Sequence, residues 1–198
     1  MVSRVIPGYF LFCLFVSCHK KEQQATIKIA KTVPENYIKA GDSGFSKHQD
    51  TLYYGDHYFT GYQFSLINEQ DTAFINSWFN GLEEGYQRKW YPHQQLAEER
   101  FYINGKKEGI HQGWWTDGKP KFYFEAADDV YSGEFKEWYS SGLLAKQFHY
   151  VNGQEEGSER LWWDNGTVRA NYVIRNGKKY GLIGLTTCAN PYDSVVKK

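Results

Sequence analysis

The sequence predicts an all-β fold: an elongated, twisted, single-layer antiparallel meander of about six 24-residue β-hairpin repeats. Three observations predict it. Short turn signals of the Asn-Gly type divide each unit twice. The chain holds 16 Tyr, 13 Phe and 7 Trp but one Met, which favours strands over a helical bundle. Glycines recur every 24 residues without an insertion, at Gly61, Gly85, Gly109, Gly133, Gly157 and Gly181.

The first 17 residues are predicted to be a lipoprotein signal peptide. Arg4 is followed by an apolar run from Val5 to Val16, which is too short to span a bilayer as a helix. The chain turns polar directly after Cys18, and the stretch resembles bacterial lipoprotein signals. The resemblance implies that Cys18 is lipidated, that the lipid holds the protein in the cell envelope, and that His19 favours the outer membrane. A plain signal peptide with an incidental cysteine is the alternative.

The segments that flank the repeats break the 24-residue period. Residues 18–45 are predicted to be the lipidated N-terminus and a tether, in which Thr26–Val33 is a candidate additional strand. Residues 189–198 are predicted to be a C-terminal tail. Residues 46–188 between them form the predicted repeat domain.

Each repeat is predicted to be one β-hairpin. Asn-Gly pairs are typical of type I′ turns, because both central residues of that turn need a positive φ. In the last unit, residues 168–175 alternate between apolar and mostly polar side chains, as expected for a half-buried strand. Five whole units give ten strands. A leading strand at Thr51–Thr60 and a closing strand at Leu182–Thr187 would bring the number to about twelve.

A pair of aromatic residues recurs with the same period. We expect these side chains to form the core of the thin sheet, so that Trp138→Ala should destabilise the fold by several kcal/mol. The four pairs are Trp90 and Tyr91, Trp114 and Trp115, Trp138 and Tyr139, and Trp162 and Trp163.

The repeat resembles the MORN repeat variant family over roughly residues 50–187. Bacterial proteins of this kind include those called YwqK-family antitoxins or membrane-binding MORN proteins. The resemblance implies a non-catalytic binding or scaffold role, with an antitoxin or immunity-type protein that sequesters a toxin as an alternative. The residues that carry it in one unit are Gly133, Trp138, Tyr139, Gly142, Tyr150, Asn152 and Gly153.

The sequence carries no motif that indicates catalysis. The six histidines are scattered without metal-ligand spacing, and there is no nucleophile elbow, phosphate loop or dinucleotide fingerprint. We therefore expect no enzyme activity, no cofactor and no metal. Lys plus Arg (23) equals Asp plus Glu (23), so neither nucleic acid nor an anionic lipid surface is an expected partner of the repeats. Membrane contact is expected through the lipid on Cys18 alone.

Two kinds of ligand stay open. The first is an unknown protein partner, bound by the polar face of the last unit through Arg169, Asn171 and Arg175. The second is carbohydrate, stacked on surplus aromatic side chains, as in a cell-wall binding module. Exposure of the repeat aromatics distinguishes the two, because side chains that pack the sheet are not free to stack on a sugar.

Overall fold

The computed structural model describes residues 28–184, and almost every element there is a β-strand. One 3-10 turn lies at Pro92–Gln94. The strands are β1 (Tyr37–Lys39), β2 (Phe45–His48), β3 (Thr51–Tyr54), β4 (His57–Tyr58), β5 (Gly61–Ile67), β6 (Asp71–Phe79), β7 (Leu82–Trp90), β8 (Leu96–Ile103), β9 (Lys106–Lys107), β10 (Gly109–Trp114), β11 (Pro120–Ala127), β12 (Val130–Trp138), β13 (Leu144–Val151), β14 (Gln154–Glu155), β15 (Gly157–Trp162), β16 (Val168–Arg175) and β17 (Lys178–Leu182).

The strands form one long open sheet and one small sheet. The long sheet has the order β1-β5-β6-β7-β8-β10-β11-β12-β13-β15-β16-β17, with the short strands β9 and β14 paired at its side. From β5 onward, successive strands pair antiparallel in chain order. Strands β2, β3 and β4 form the small sheet. The predicted all-β meander of hairpins is therefore confirmed.

The turn that ends each unit has the predicted conformation. Asn80 and Gly81 have φ values of 50° and 78°, and Asn104 and Gly105 repeat them at 52° and 78°. Asp128 and Asp129 have φ of 52° and 69° without a glycine. Positive φ at both central residues defines the type I′ turn, whose twist matches that of the flanking strands.

In the last three repeats the mid-unit turn is of another type, so the prediction of two equivalent turns per repeat is wrong there. Only the glycine has a positive φ in these turns, as at Gly118 (82°) and Gly142 (93°). The preceding polar side chain instead accepts a hydrogen bond from the backbone two residues on, as from Lys119 N to Asp117 Oδ1 (3.1 Å). This local bond makes a positive φ at the first residue unnecessary.

The mid-unit turn at His93 and Gln94 lacks glycine, and both residues have positive φ (64° and 59°). We expect Gln94→Gly to raise the free energy of unfolding by about 0.5 kcal/mol, because glycine adopts this conformation without strain. Chemical denaturation measures the change. Gln95→Gly is the matched control: its φ of −70° suits any residue, so glycine there should destabilise the fold. Destabilisation by both variants would contradict the assignment of strain to Gln94.

The six period-marking glycines were predicted to be turn residues, but the structure places them in strands. Gly61, for example, begins β5, and Gly85 lies within β7 beside a shift of register between β6 and β7. A Cβ atom on Gly61 would collide with the carbonyl oxygen of Asn36. These positions share a positive φ and do not lie in turns. The six residues are Gly61, Gly85, Gly109, Gly133, Gly157 and Gly181.

The repeat tryptophans do not form the buried core. Trp90, Trp114, Trp138 and Trp162 are half-buried. The register shifts immediately before each of them, which places them at strand ends beside the mid-unit turns. The buried cluster lies in the middle of the strands instead and consists of Phe124, Ala126, Phe135, Phe148, Ala170, Tyr172 and Ile174. We call the face that bears this cluster the core face and the opposite one the outer face.

The N-terminal part of the described chain differs from the prediction. Residues 28–33 belong to no strand, so the described part of the candidate strand Thr26–Val33 is absent. The predicted leading strand Thr51–Thr60 is split into β3 and β4 of the small sheet. Strand β1 borders β5 instead, as a parallel neighbour. Much of the predicted tether is therefore packed against the repeats.

Several predicted features lie outside the described residues. They are the signal peptide, Cys18, the C-terminal tail and the last residues of the proposed strand Leu182–Thr187. Within the description, the last strand, β17, ends at Leu182. No helix of residues 28–184 is long and apolar enough to cross a membrane.

Candidate functional site

In three of the four repeat pairs, the second aromatic residue donates a hydrogen bond to the next repeat. The Tyr91 hydroxyl donates to the carbonyl oxygen of Trp114 (3.2 Å), and the Tyr139 hydroxyl donates to that of Trp162 (2.9 Å). Trp115 Nε1 donates in the same way to Trp138 (3.3 Å). These bonds span 23 residues each. Three of the four pairs thus contribute to the structure of the repeat.

A row of aromatic side chains crosses the outer face of the first repeats. Tyr37 pairs with Tyr62, Tyr62 with Ser77, and Tyr86 with Phe101 across β1, β5, β6, β7 and β8. Ser77 Oγ donates to the carbonyl oxygen of Tyr86 (2.9 Å), which places the two side by side. We call these five residues the tyrosine row. Tyr37 is 53% and Tyr86 47% exposed.

The row consists of two ring pairs with Ser77 between them. The Tyr37 and Tyr62 rings stack at 4.7 Å on one side of it, and the Tyr86 and Phe101 rings meet at 4.8 Å on the other. Tyr62 and Tyr86 are two strands apart, about 10 Å at the usual strand spacing. Ser77 lies between the two ring pairs and is itself buried. The exposed surface of the row is therefore formed by Tyr37 and Tyr86.

Residues 30–33 form one wall of the same groove, which has a volume of about 470 Å³. This segment is held by polar contacts. The backbone N–H of Lys31 donates to Glu84 Oε1 (2.8 Å), and the N–H of Asn104 donates to Glu84 Oε2 (2.8 Å). Lys28 Nζ forms ion pairs with Glu108 (3.0 Å) and Asp128 (2.6 Å). The buried Glu84 carboxylate thus connects the wall to the sheet.

Arg88 lies in the groove as one member of an ion pair. Its Nε donates to Glu99 Oε2 (2.7 Å), and its guanidinium carbon lies 4.4 Å from the centre of the Tyr86 ring. Trp90 follows in the same strand and also lines the groove. The partners of Arg88 hold it in place, which lowers the entropy lost when a ligand binds.

The predicted binding face of the last unit is exposed, but its residues are spread out. Arg169, Asn171 and Arg175 occupy alternate positions of β16, so the first and last lie about 20 Å apart. The Arg169 guanidinium lies 4.7 Å over the Trp163 ring. Arg175 lines a separate groove of about 580 Å³ with Tyr180. The structure places the three residues on one surface and not in one pocket.

The core face holds two buried titratable groups at the same repeat position, the second residue after the repeat glycine. Burial, together with the nearby Arg100 and Lys107, lowers the pKa of His111 to about 4. Burial also raises the pKa of Glu159 to about 7, although the His149 N–H donates to its carboxylate (3.3 Å) and opposes the shift. Both side chains are fully buried.

Sequence reasoning missed the tyrosine row because it followed the Trp period. A signal was present: Tyr62 and Tyr86 each follow a repeat glycine and are 24 residues apart. Tyr37 lies outside the period, and only the parallel pairing of β1 brings it to the row.

No family model matches this chain, and no curated protein matches it. Within residues 28–184, no group of three or more His, Cys, Asp or Glu side chains could hold a metal ion.

Proposed function

We propose that this chain is a non-catalytic, lipid-anchored module of the bacterial cell envelope that binds a protein partner through the tyrosine row. The observation that carries the proposal is the groove itself, which presents exposed Tyr86 beside Arg88 and Trp90. Tyr, Trp and Arg dominate the energetic centres of protein interfaces. The exposed rings of Tyr37 and Tyr86 would contact apolar side chains of the partner.

The charged groups of the groove are already paired. Arg88 forms an ion pair with Glu99, and Glu84 is buried and accepts two backbone hydrogen bonds. A partner would therefore gain its affinity from the exposed rings rather than from charge. A toxin recognised by an immunity-type protein is one such partner, in agreement with the resemblance to MORN repeat variants.

Carbohydrate is the second candidate ligand. The repeat tryptophans are half-buried, and the aromatic residues that follow them are hydrogen-bonded to the next repeat in three of the four pairs. These side chains are therefore not free to stack on a sugar. The exposed rings of the tyrosine row could stack on a pyranose. Binding to purified, protein-free cell-wall polysaccharide distinguishes this candidate from the first.

The proposed anchor is the lipid on Cys18. Lys28 follows Cys18 by ten residue steps, and a fully extended chain of that length reaches at most about 35 Å. Because Lys28 is paired with Glu108 and Asp128, the proposed anchor would keep this part of the repeats within about 35 Å of the membrane.

Cys18→Ala tests the anchor. We expect this variant to lose metabolic labelling by a radioactive fatty acid and to leave the membrane fraction, because the acyl chains supply the affinity for the bilayer. Wild-type protein labelled in parallel is the reference. Continued labelling of the variant would refute lipidation at Cys18.

Co-purification from solubilised native envelopes tests the binding surface. We expect Tyr86→Ala to lose the partner with little change in thermal stability, because the side chain is 47% exposed. The control replaces Arg169, Asn171 and Arg175 together by alanine and should retain the partner. The opposite result would assign binding to the last unit. Binding of protein-free cell wall, lost in Tyr86→Ala, would favour carbohydrate.

A further inference from the structure

A second cleft lies on the core face of the first repeats, opposite the tyrosine row. It consists of two adjoining cavities of about 330 Å³ and 230 Å³. Lys47 of β2 and Glu83 of β7 line both cavities. The larger cavity also has Gln63 and Asn76 on its wall. Together the cavities reach the range of small-molecule binding sites.

One polar residue of the cleft stands at a position that is aromatic further along the chain. Asn76 is the equivalent of Phe124 and Phe148. Those phenylalanines belong to the buried cluster, whereas Asn76 lines the cleft. Polar residues at core positions of a fold give up burial of apolar surface, which is typical of functional sites. The position of Gln63, in contrast, is polar in four of the five repeats, as at Gln87, His111 and Glu159.

The amide side chains in the cleft are available to a ligand. Gln63 and Asn76 lie directly opposite each other on β5 and β6. Within the described part of the chain, neither side chain takes part in a hydrogen bond. Two amides supply both donors and acceptors at one point of the wall.

Lys47 and Glu83 carry opposite charges and line the same cleft. Lys47 Nζ lies 5.5 Å from the centre of the Trp78 ring. Between residues 28 and 184, no ion pair of 4.0 Å or less involves Lys47 or Glu83. Burial raises the pKa of Glu83, and Lys47 and Lys107 oppose that shift. Lys107 is itself paired with Asp129 (3.5 Å). A cation and a carboxylate therefore line one cleft, and Asp50, Lys107 and Asp129 line its smaller cavity as well.

We propose that this cleft binds a free α-amino acid in its zwitterionic form. The ligand carboxylate would bind Lys47, the ligand ammonium would bind Glu83, and the Gln63 and Asn76 amides would supply further hydrogen bonds. Phe45, Leu52 and Trp78 line the larger cavity and suit an apolar side chain. A ligand with a single charge would leave one member of the Lys47 and Glu83 pair without a partner in a half-buried site. This site is independent of the proposed protein-binding groove.

Isothermal titration of the purified repeat protein with leucine, phenylalanine and glycine tests the proposal. We expect saturable binding of leucine or phenylalanine, weaker binding of glycine, and at least tenfold weaker binding of N-acetyl-leucine and leucinamide, which each lack one charge. Lys47→Met and Glu83→Gln should each abolish leucine binding. Lys136→Met is the matched control, because Lys136 pairs with Glu134 on the outer face.

Four results would overturn the proposal. The first is the absence of saturable binding of all three amino acids at 10 mM, which is far above the range of about 1 µM to 1 mM common for small-molecule sites. The second is equal binding of leucine and its singly charged derivatives. The third is unchanged binding by Lys47→Met and Glu83→Gln when circular dichroism shows both variants folded. Glucose, titrated in parallel, would reveal a neutral ligand if it competed for the same cleft, and that result would also refute a zwitterion site.

Discussion

Replacing Phe124 by alanine is expected to lower the free energy of unfolding by about 3–5 kcal/mol. Phe124 is 6% exposed and lies at the centre of the buried cluster. Its ring stacks on His111 at 4.7 Å and on Phe135 at 6.0 Å, and the Tyr131 ring meets it edge-on at 5.2 Å. The small sheet packs on the same face further along, where Leu52 and Phe59 form a separate buried cluster with Trp78.

Trp138→Ala is the matched comparison for this prediction. The sequence alone predicted a large loss at Trp138, but its side chain is half-buried at a strand end. We now expect a cost of about 2 kcal/mol, roughly half that of a buried aromatic residue. Urea denaturation of both variants measures the difference. A larger loss for Trp138→Ala than for Phe124→Ala would place the core at the repeat tryptophans and contradict this account.

The second large effect is a pH dependence due to Glu159. Its pKa is about 7 in the folded protein, against an ordinary value of 4.5, because burial favours the neutral form. The contribution of Glu159 to stability is therefore fully present below about pH 4.5 and is lost as the pH rises through 7. A shift of this size is equivalent to at most about 3 kcal/mol. Glu159→Gln should remove the loss, because glutamine stays neutral.

His111 gives the free energy of unfolding the opposite dependence on pH. Its pKa falls to about 4 from 6.5, so stability is lost as the pH decreases from 6.5 toward 4. Between pH 4.5 and 6.5 the two groups oppose each other, and the wild-type protein should show little net change. Glu159→Gln should become more stable as the pH rises through this range, and His111→Gln should become less stable. Gln87 occupies the same repeat position in an earlier unit, so glutamine is compatible with the fold there.

Denaturation of the wild-type protein, Glu159→Gln and His111→Gln at pH 4.5, 5.5, 6.5 and 7.5 tests both predicted pH dependences. Parallel pH profiles for the wild-type protein and both variants would show that neither side chain titrates in the folded state as its burial requires.

The backbone of the repeat was predictable because its signals are local. An Asn-Gly pair determines its own turn, so the positions of Asn80 and Asn104 predicted the hairpins correctly. The alternation in residues 168–175 likewise agrees with the buried and exposed pattern of β16. These features depend on neighbouring residues and not on the rest of the fold.

The core was harder to predict because bulges change which side chains are buried. A register shift precedes Trp138, and no residue type in the unit signals it. The tryptophans therefore recur with the repeat without forming its buried core. The buried residues of β11 and β13, Phe124 and Phe148, share a repeat position that is occupied by Asn76 and Arg100 in earlier units. Because the residue type at this position varies between units, a search for repeated residue types does not find the core.

The candidate site depends on contacts between distant parts of the chain. The groove wall at residues 30–33 contacts the sheet through Glu84, more than 50 residues away. Tyr37 reaches Tyr62 through the parallel pairing of β1 with β5. Neither contact has a sequence pattern of its own, so only part of the tyrosine row could have been found from the repeat.

Site-specific photocrosslinking in living cells tests the central claim most directly. A benzophenone amino acid placed at position 86 would report on the tyrosine row, and the same probe at position 171 would report on the last unit. The proposed function predicts an ultraviolet-dependent adduct with one envelope protein from position 86 and none from position 171. An adduct from position 171 alone, or no protein adduct from position 86 in cells where the protein is correctly anchored, would contradict it.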